Sequence, residues 1–178
     1  MAKFNLALSR MLSHEGCFVN DPDDLGKETY KGISRASHSK WSGWTIIDSY
    51  KAKSGFPTIL DKDVELQKQV ELFYFNNFWT PLNGNLIANQ TNADSIFDFA
   101  VNSGITTTVH IVQSVIGTKA DGIVGDQTLK KLNSLDFGYF QPAFTVGKIT
   151  HYISIIKKRP TNKKYLYGWI IRALSFHD

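Results

Sequence analysis

Two acidic side chains near the N-terminus, Glu15 and Asp24, have the types and spacing that cleavage of a glycosidic bond requires. That reaction takes a protonated carboxyl, which donates to the leaving oxygen, and a carboxylate across the sugar ring that holds a water or attacks directly. Thr29 follows shortly afterwards and could help to hold the water. The sequence therefore predicts a hydrolytic site built from these three residues.

Glu15 stands in line with an apolar stripe that has helical spacing. The preceding members of the stripe are Phe4, Leu8, Met11 and Leu12. A carboxylate in that position is either paired as a structural group or partly desolvated, so that it keeps its proton near neutrality as a general acid must. We predict a helix over Phe4–His14, with Glu15 at its end.

The segment after Glu15 is dense in aspartate, glycine and proline, so its acids have a second interpretation. Asp21, Asp23 and Asp24 are also typical turn formers, and Asp23 competes with Asp24 for the role of second carboxylate. Glu15 could likewise be a helix-end residue without chemistry. Residue types alone leave these alternatives open.

Composition indicates a folded chain with a mild positive charge. The 178 residues are 42% hydrophobic and 20% charged, which suffices for one core with a small appended module. A formal charge of +4 favours encounter with polyanions such as nucleic acid, a membrane surface or bacterial cell wall. The basic residues are not interleaved as in a nucleic-acid-binding arm, so no nucleic-acid partner is predicted. We interpret the tract Lys157–Arg159 with Lys163 and Lys164 as a solvated helix end and loop.

Periodicity predicts a mainly α fold with a small irregular or β region. The irregular region is Gly16–Gly32, which has room for a short hairpin, and Gly104 is a predicted helix C-cap. A long helix, capped by Asp61 or Asp63, extends through Trp79. The other predicted helices are Ser34–Ser42, Ile46–Ser54, Ala93–Asn102, Thr106–Ile116, Phe140–Lys158 and one around Trp169.

Several classes of protein are disfavoured. Cys17 is the single cysteine, so neither an intrachain disulfide nor an all-cysteine metal site is expected, and the five histidines lack the spacing of zinc ligands. We predict no metal and no cofactor. The first residues do not resemble a signal peptide and no stretch is long enough to span a bilayer. The expectation is synthesis in the cytoplasm, no stable membrane insertion, and action elsewhere after non-classical release or lysis.

Several motifs together resemble the N-acetylmuramidases of glycoside hydrolase family 108, which include phage endolysins and proteins called secretion activators. The opening motif is His14-Glu15-Gly16, then Asn20-Asp21-Pro22-Asp23-Asp24, then Lys31-Gly32-Ile33. Later stretches that match in order are 78–82, 97–104 and 168–172. The stretch 120–129 resembles a peptidoglycan-binding segment. Cys17, Phe18, Lys27 and Tyr30 depart from the usual residues, but both carboxylates are kept.

The resemblance implies a lysozyme-like fold that hydrolyses the β-1,4 bond between N-acetylmuramic acid and N-acetylglucosamine in peptidoglycan. Glu15 would be the catalytic acid, with Asp24 and Thr29 assisting. Residues 1–104 would form the muramidase domain, and residues 105–178 a helical peptidoglycan-binding-like segment packed on it. A holin-like pore or a secretion system would be the partner for release. The candidate substrate-binding residues are Asn20, Tyr30, Trp79, Asp98 and Asn102.

Some of these candidates have competing structural interpretations, and two other functions are possible in principle. Trp79 could stack on a sugar or belong to the core, and Asp98 and Asn102 share a helix face that could line a cleft or satisfy buried backbone. A cysteine peptidase using Cys17 is disfavoured, because the end of a helix destabilises a thiolate. A non-catalytic cell-wall-binding or secretion-assisting module of the same fold is the main alternative to an enzyme.

Overall fold

The structure is a computed structural model, and it describes residues 1–20 and 28–176. Within that part the chain is mainly helical with one small antiparallel sheet, as the sequence predicts. The helices are α1 Phe4–Leu12, α2 Gly43–Tyr50, α3 Val64–Tyr74, α4 Gln90–Ser103, α5 Ile105–Ile116, α6 Asp126–Ser134, α7 Phe137–Lys158 and α8 Leu166–Leu174. The strands are β1 Phe18–Asn20, β2 Glu28–Tyr30 and β3 Ile33–Ser34.

Several predicted helices are wrong in extent, and one is not a helix. Helix α1 ends at Leu12 rather than His14, and Glu15 lies in the following turn, where its N–H donates to the Leu12 carbonyl at 3.1 Å. Residues 34–42 form a strand end and turns instead of a helix. Serines there offer the backbone other partners, as when the N–H of Ser37 donates to Ser34 Oγ at 3.4 Å. Helix α2 is Gly43–Tyr50, so it begins and ends earlier than the predicted Ile46–Ser54.

The first compact unit, Leu8–Asn77, holds the sheet together with α2 and α3. The strand order is β1-β2-β3, and Thr29 pairs with Val19 on one side and Ser34 on the other. Lys31 and Gly32 connect β2 to β3 with φ values of 46° and 80°. A two-residue connection with both φ values positive is the hairpin turn whose twist matches that of the strands.

Helix α3 begins where the sequence predicts a cap. The side chain of Asp63 accepts a hydrogen bond from the N–H of Leu66 at 2.7 Å, so Asp63 and not Asp61 is the N-cap. A π-helical turn, Phe75–Trp79, follows α3. The buried apolar residues of this unit include Met11, Tyr30, Ile33, Ile47, Leu60, Leu66 and Val70.

The second compact unit consists of Met1–Ala7 and the chain from Phe78 onwards, and α4 is its centre. Every residue from Asn92 to Ala100 is buried. The ring of Phe99 lies 5.8 Å from both Phe144 and Tyr152 of α7. Gly104 ends α4 with a φ of 85°, as the sequence predicts. The predicted functional division after residue 104 stays a prediction.

Candidate functional site

The carboxylate of Glu15 lies against the turn between β2 and β3. A Cβ atom at position 32 would be 2.9 Å from Glu15 Oε2 and 2.7 Å from the Tyr74 hydroxyl oxygen. Glycine therefore leaves room for both polar groups over the turn. The Tyr74 hydroxyl donates to the carbonyl of Lys31 at 2.6 Å, which fixes this same turn. Glu15 is half-buried there, so its carboxyl is neither in the core nor fully in solvent.

The small sheet that contains this turn also carries two other predicted residues. Thr29 is half-buried on β2, two residues before Lys31, and Asn20 is exposed at the end of β1. The N–H of Lys31 donates to the carbonyl of Cys17 at 3.1 Å, which ties the turn to the segment that follows Glu15. Asp24, the predicted second carboxylate, and its competitor Asp23 lie outside the described residues.

Tyr30 belongs to an internal hydrogen-bond network. Its side chain is 0% exposed, and its hydroxyl donates to Asp61 Oδ1 at 3.2 Å and accepts from Gln67 Nε2 at 3.0 Å. Burial raises the pKa of Tyr30 far above its usual value. Lys31 Nζ donates to Gln67 Oε1 at 2.6 Å, and Cys17 Sγ contacts Asp61 Oδ2 at 3.7 Å. The sequence predicts Tyr30 as a substrate contact, whereas in the structure its side chain is buried and hydrogen-bonded within the protein.

A cluster of four charged side chains fixes β2 to the segment around α2. Arg35 binds Glu28 at 2.6 Å and makes two hydrogen bonds to Asp48, at 2.8 and 2.6 Å, while Lys51 pairs with both acids. Burial alone would raise the pKa of Glu28, but hydrogen bonds from Lys51 and Arg35 outweigh it and hold that pKa below its usual value. Hydrogen bonds from Arg35 and Lys51 likewise lower the pKa of Asp48. This cluster is not evident in the sequence, because its members come from three separate segments.

Two hollows adjoin each other in the same unit. The first, of about 530 Å³, is lined by Asn20, Glu28, Arg35, Ala36 and Ser39. The second, of about 600 Å³, shares Ser39 and is lined on one side by Trp41. Both hollows are large enough for a sugar ring, and their walls carry hydroxyl, amide and charged groups.

Trp41 is held rigidly at the wall of the second hollow. Its ring lies so close to Gly43 that a Cβ there would approach it at 2.3 Å. The ring of Trp44 meets it edge-on at 5.2 Å, and Trp41 Nε1 donates to the carbonyl of Gln69 at 3.3 Å. Trp41 is half-buried, so it is partly packed and partly accessible at the wall of the hollow.

The remaining predicted residues belong to the second unit and have structural partners there. Trp79 is 1% exposed, and its Nε1 donates to Asn85 Oδ1 at 2.9 Å. Asp98 is buried and accepts two hydrogen bonds from Arg172 Nε and one from Nη2, between 2.9 and 3.1 Å. Asn102 is exposed and accepts from the Tyr152 hydroxyl at 3.0 Å.

Residues 1–20 and 28–176 contain neither a cluster of metal ligands nor a helix that could span a membrane. Within these ranges no three His, Cys, Asp or Glu side chains lie close enough together to form a metal site. None of the helices there combines the length and apolar character that crossing a bilayer requires.

Comparison with known proteins agrees with the resemblance seen in the sequence. A family model described as glycosyl hydrolase 108 matches residues 8–104, and one described as a predicted peptidoglycan domain matches residues 107–174. Among curated proteins, none is significantly similar to this chain. The structure of Brucella abortus SagA is similar in fold, with a TM-score of 0.61 and 22% sequence identity over 98% of this chain and 96% of that one. The glycosyl hydrolase 108 model alone matches more than half of the residues of this chain. The chain therefore belongs to the glycosyl hydrolase 108 family.

Proposed function

We propose that the protein is an N-acetylmuramidase, which hydrolyses the β-1,4 bond between N-acetylmuramic acid and N-acetylglucosamine in peptidoglycan. Membership of a glycosyl hydrolase family supports the reaction class, and the peptidoglycan domain match supports the polymer. One observation carries the choice of acid: the half-buried carboxylate of Glu15 lies against a turn that only glycine leaves open.

In this proposal Glu15 is the general acid. A carboxyl that donates its proton to a leaving sugar oxygen works best when it is partly shielded from water and held in one orientation. The turn at Lys31 and Gly32 meets the second requirement, because Tyr74 fixes the turn and the carboxylate packs beside that hydroxyl. Glu15 is half-buried, which meets the first requirement, partial shielding from water.

Asp24 and Thr29 complete the proposed chemistry. Asp24 would stabilise the positive charge that develops on the sugar or would activate a water, and Thr29 would help to position that water. Retaining glycosidases place their two carboxyl groups about 5–5.5 Å apart and inverting ones about 6.5–9.5 Å apart. NMR of the first-formed product distinguishes the two outcomes by the configuration at the new anomeric carbon.

The decisive experiment compares the purified chain with its Glu15→Gln variant on peptidoglycan, with new reducing ends as the readout. We expect the substitution to lower the rate at least about 100-fold, the range for loss of a general acid. Glu71→Gln is the matched control, because Glu71 is an exposed glutamate on α3. It should keep full activity, and all three proteins should unfold at the same temperature.

Other outcomes would assign the protein differently. Undiminished release of reducing ends by Glu15→Gln would remove Glu15 from the mechanism. Release of new amino groups would indicate an amidase or peptidase instead. Tight binding to peptidoglycan without either product would support the alternative of a non-catalytic wall-binding module.

A further inference from the structure

The last part of the described chain is strongly basic. Residues 137–176 contain no aspartate or glutamate. Their basic residues are Lys148, Lys157, Lys158, Arg159, Lys163, Lys164 and Arg172. Lys148 is buried and Arg172 binds Asp98, but the remaining ones are exposed. The exposed ones lie at the end of α7 and in the short 3₁₀ helix Pro160–Tyr165, so their positive charge is concentrated directly before α8.

Helix α8 has one packed face and one apolar face that nothing in the described chain covers. On the packed side Ala173 is 2% exposed, and the ring of Trp169 stacks on Tyr152 at 5.0 Å. On the other side Tyr167, Ile171 and Leu174 are 79%, 52% and 46% exposed. Their spacing of four and three residues places them on a single helix face.

The basic segment runs directly into α8 along the chain. Lys163 and Lys164 immediately precede α8, and Lys164 Nζ lies 4.9 Å from the ring centre of Tyr165. The Tyr165 ring is 49% exposed and 5.9 Å from Trp169, which belongs to α8. We use the term basic-apolar surface for Lys157–Arg159, Lys163–Tyr165 and the exposed face of α8.

The chemistry of this surface distinguishes among polyanions. A nucleic acid or an anionic wall polymer would pair with the lysines, but it offers little to aliphatic side chains such as Ile171 and Leu174. A bilayer that contains anionic lipids supplies both partners: phosphates for the cations, and an acyl boundary for the apolar face. Tyrosines suit the headgroup level between them, because one end of the ring is polar.

We propose that the basic-apolar surface binds peripherally to an anionic lipid bilayer, with α8 lying in the plane of the interface. This adsorption is separate from glycan hydrolysis, because none of its residues is in the proposed catalytic machinery. It requires no spanning segment. The lysines supply attraction that salt screens, and the exposed face of α8 supplies contact that salt leaves largely intact.

Sedimentation of the full chain with phosphatidylcholine vesicles, with and without phosphatidylglycerol, tests this proposal. We expect binding only to the phosphatidylglycerol vesicles. Lys163→Gln with Lys164→Gln should weaken it about 10- to 30-fold, since each lysine near an anionic surface contributes roughly a fivefold factor. Tyr167→Ser with Ile171→Ser should weaken it about tenfold or more by removing apolar contact.

Matched controls separate the surface from general charge and hydrophobicity. Lys130→Gln with Lys131→Gln removes the same charge from exposed positions on α6, and Val64→Ser with Ile123→Ser removes exposed apolar groups elsewhere. Both control pairs should bind as the unmodified protein does, and circular dichroism should show that every variant is folded.

Three results would overturn the proposal. One is failure of the unmodified protein to bind phosphatidylglycerol vesicles. Another is that Lys130→Gln with Lys131→Gln weakens vesicle binding as much as Lys163→Gln with Lys164→Gln does, which would mean that only net charge matters. The third is binding that ignores the substitutions on α8 and is reproduced by polyphosphate or DNA, which would make the surface a polyanion site. Since the vesicles contain no peptidoglycan, none of these results depends on muramidase activity.

Discussion

Glu15 Oε2 occupies space that a side chain at position 32 would need, since a Cβ on Gly32 would come within 2.9 Å of it. The acid and the glycine belong to segments that are separated by both β1 and β2. Their contact makes the orientation of the carboxylate depend on the backbone of the turn. Residue 32 therefore controls the orientation of the proposed catalytic acid.

Gly32→Ala should impair hydrolysis more than it impairs folding. An alanine at a φ of 80° is strained by about 1 kcal/mol, and its methyl group would also displace the Glu15 carboxylate or the Tyr74 hydroxyl. We expect the turnover number on peptidoglycan to fall at least about tenfold, because small misplacements of a reacting group have large effects. Release of reducing ends and thermal unfolding measure the two effects.

Gly55→Ala is the control for that experiment. Gly55 has a φ of 87°, and a Cβ there would meet nothing nearer than 4.0 Å. Gly55→Ala should be destabilised by the strain of a positive φ alone, about 1 kcal/mol, while retaining turnover. Equal loss of activity in both variants would show that backbone strain, and not the position of Glu15, is responsible.

Asp98→Asn should act on stability and not on catalysis. The carboxylate is buried and binds Arg172 through two nitrogens, so the substitution leaves a largely buried guanidinium without its countercharge. We expect the free energy of unfolding to fall by about 3 kcal/mol, as measured by urea denaturation. Turnover per folded molecule should be unchanged. Asp126→Asn, at an exposed position, should change stability by less than about 1 kcal/mol.

Lys148→Met should remove a pH dependence of stability. Burial lowers the pKa of Lys148 to about 8, although Asp98 opposes the shift. An unfolded lysine keeps its proton up to about pH 10.4, so between these values the unfolded chain binds more protons and stability increases with pH. From pH 7 to pH 10 the unmodified protein should gain about 2–3 kcal/mol relative to Lys148→Met. Urea denaturation at both pH values measures the gain, and Lys130→Met should show no such difference.

Glu28→Gln should destabilise the protein near neutrality but not in acid. Lys51 and Arg35 hold the pKa of Glu28 below its usual value, so its contribution is present above about pH 4.3 and is lost as the pH falls through the folded-state pKa. At pH 7 the variant should be less stable by about 1–3 kcal/mol, the range for hydrogen bonds to charged groups. Urea denaturation should show the difference shrinking towards pH 3, whereas Glu71→Gln should resemble the unmodified protein throughout.

Helices whose signal is local were predictable from the sequence. Asp63 caps α3 by accepting a hydrogen bond from the N–H of Leu66, only three residues later. Gly104 ends α4 because glycine adopts the required positive φ without strain. Residues 34–42 misled the prediction, because serines with helical spacing can bond to the backbone outside a helix. The end of α1 was predicted two residues too late. The apolar stripe reaches Leu12 and Glu15 stands in line with it, but the chain turns before Glu15.

Site residues that depend on distant partners could not be assigned from the sequence. Tyr30 looks like a surface contact until Asp61 and Gln67, more than thirty positions away, are seen to bind its hydroxyl. Gln113 is a similar case. Its side-chain amide donates to Asp121 Oδ1 at 2.8 Å and accepts from the N–H of Gly122 at 2.9 Å, which orders the chain at these two residues.

The second unit combines Met1–Ala7, which precede the first unit in the sequence, with the chain that follows it from Phe78. The N–H of Ala2 donates to the carbonyl of Ile87 at 2.8 Å, and the ring of Phe4 packs on Trp79 and Phe97 at 5.6 and 6.0 Å. During synthesis on the ribosome the opening residues therefore emerge long before the segments on which they pack. Leu8–Asn77 is continuous and can begin to pack earlier. Residues 1–7 thus reach these neighbours only after all of Leu8–Asn77 has been translated.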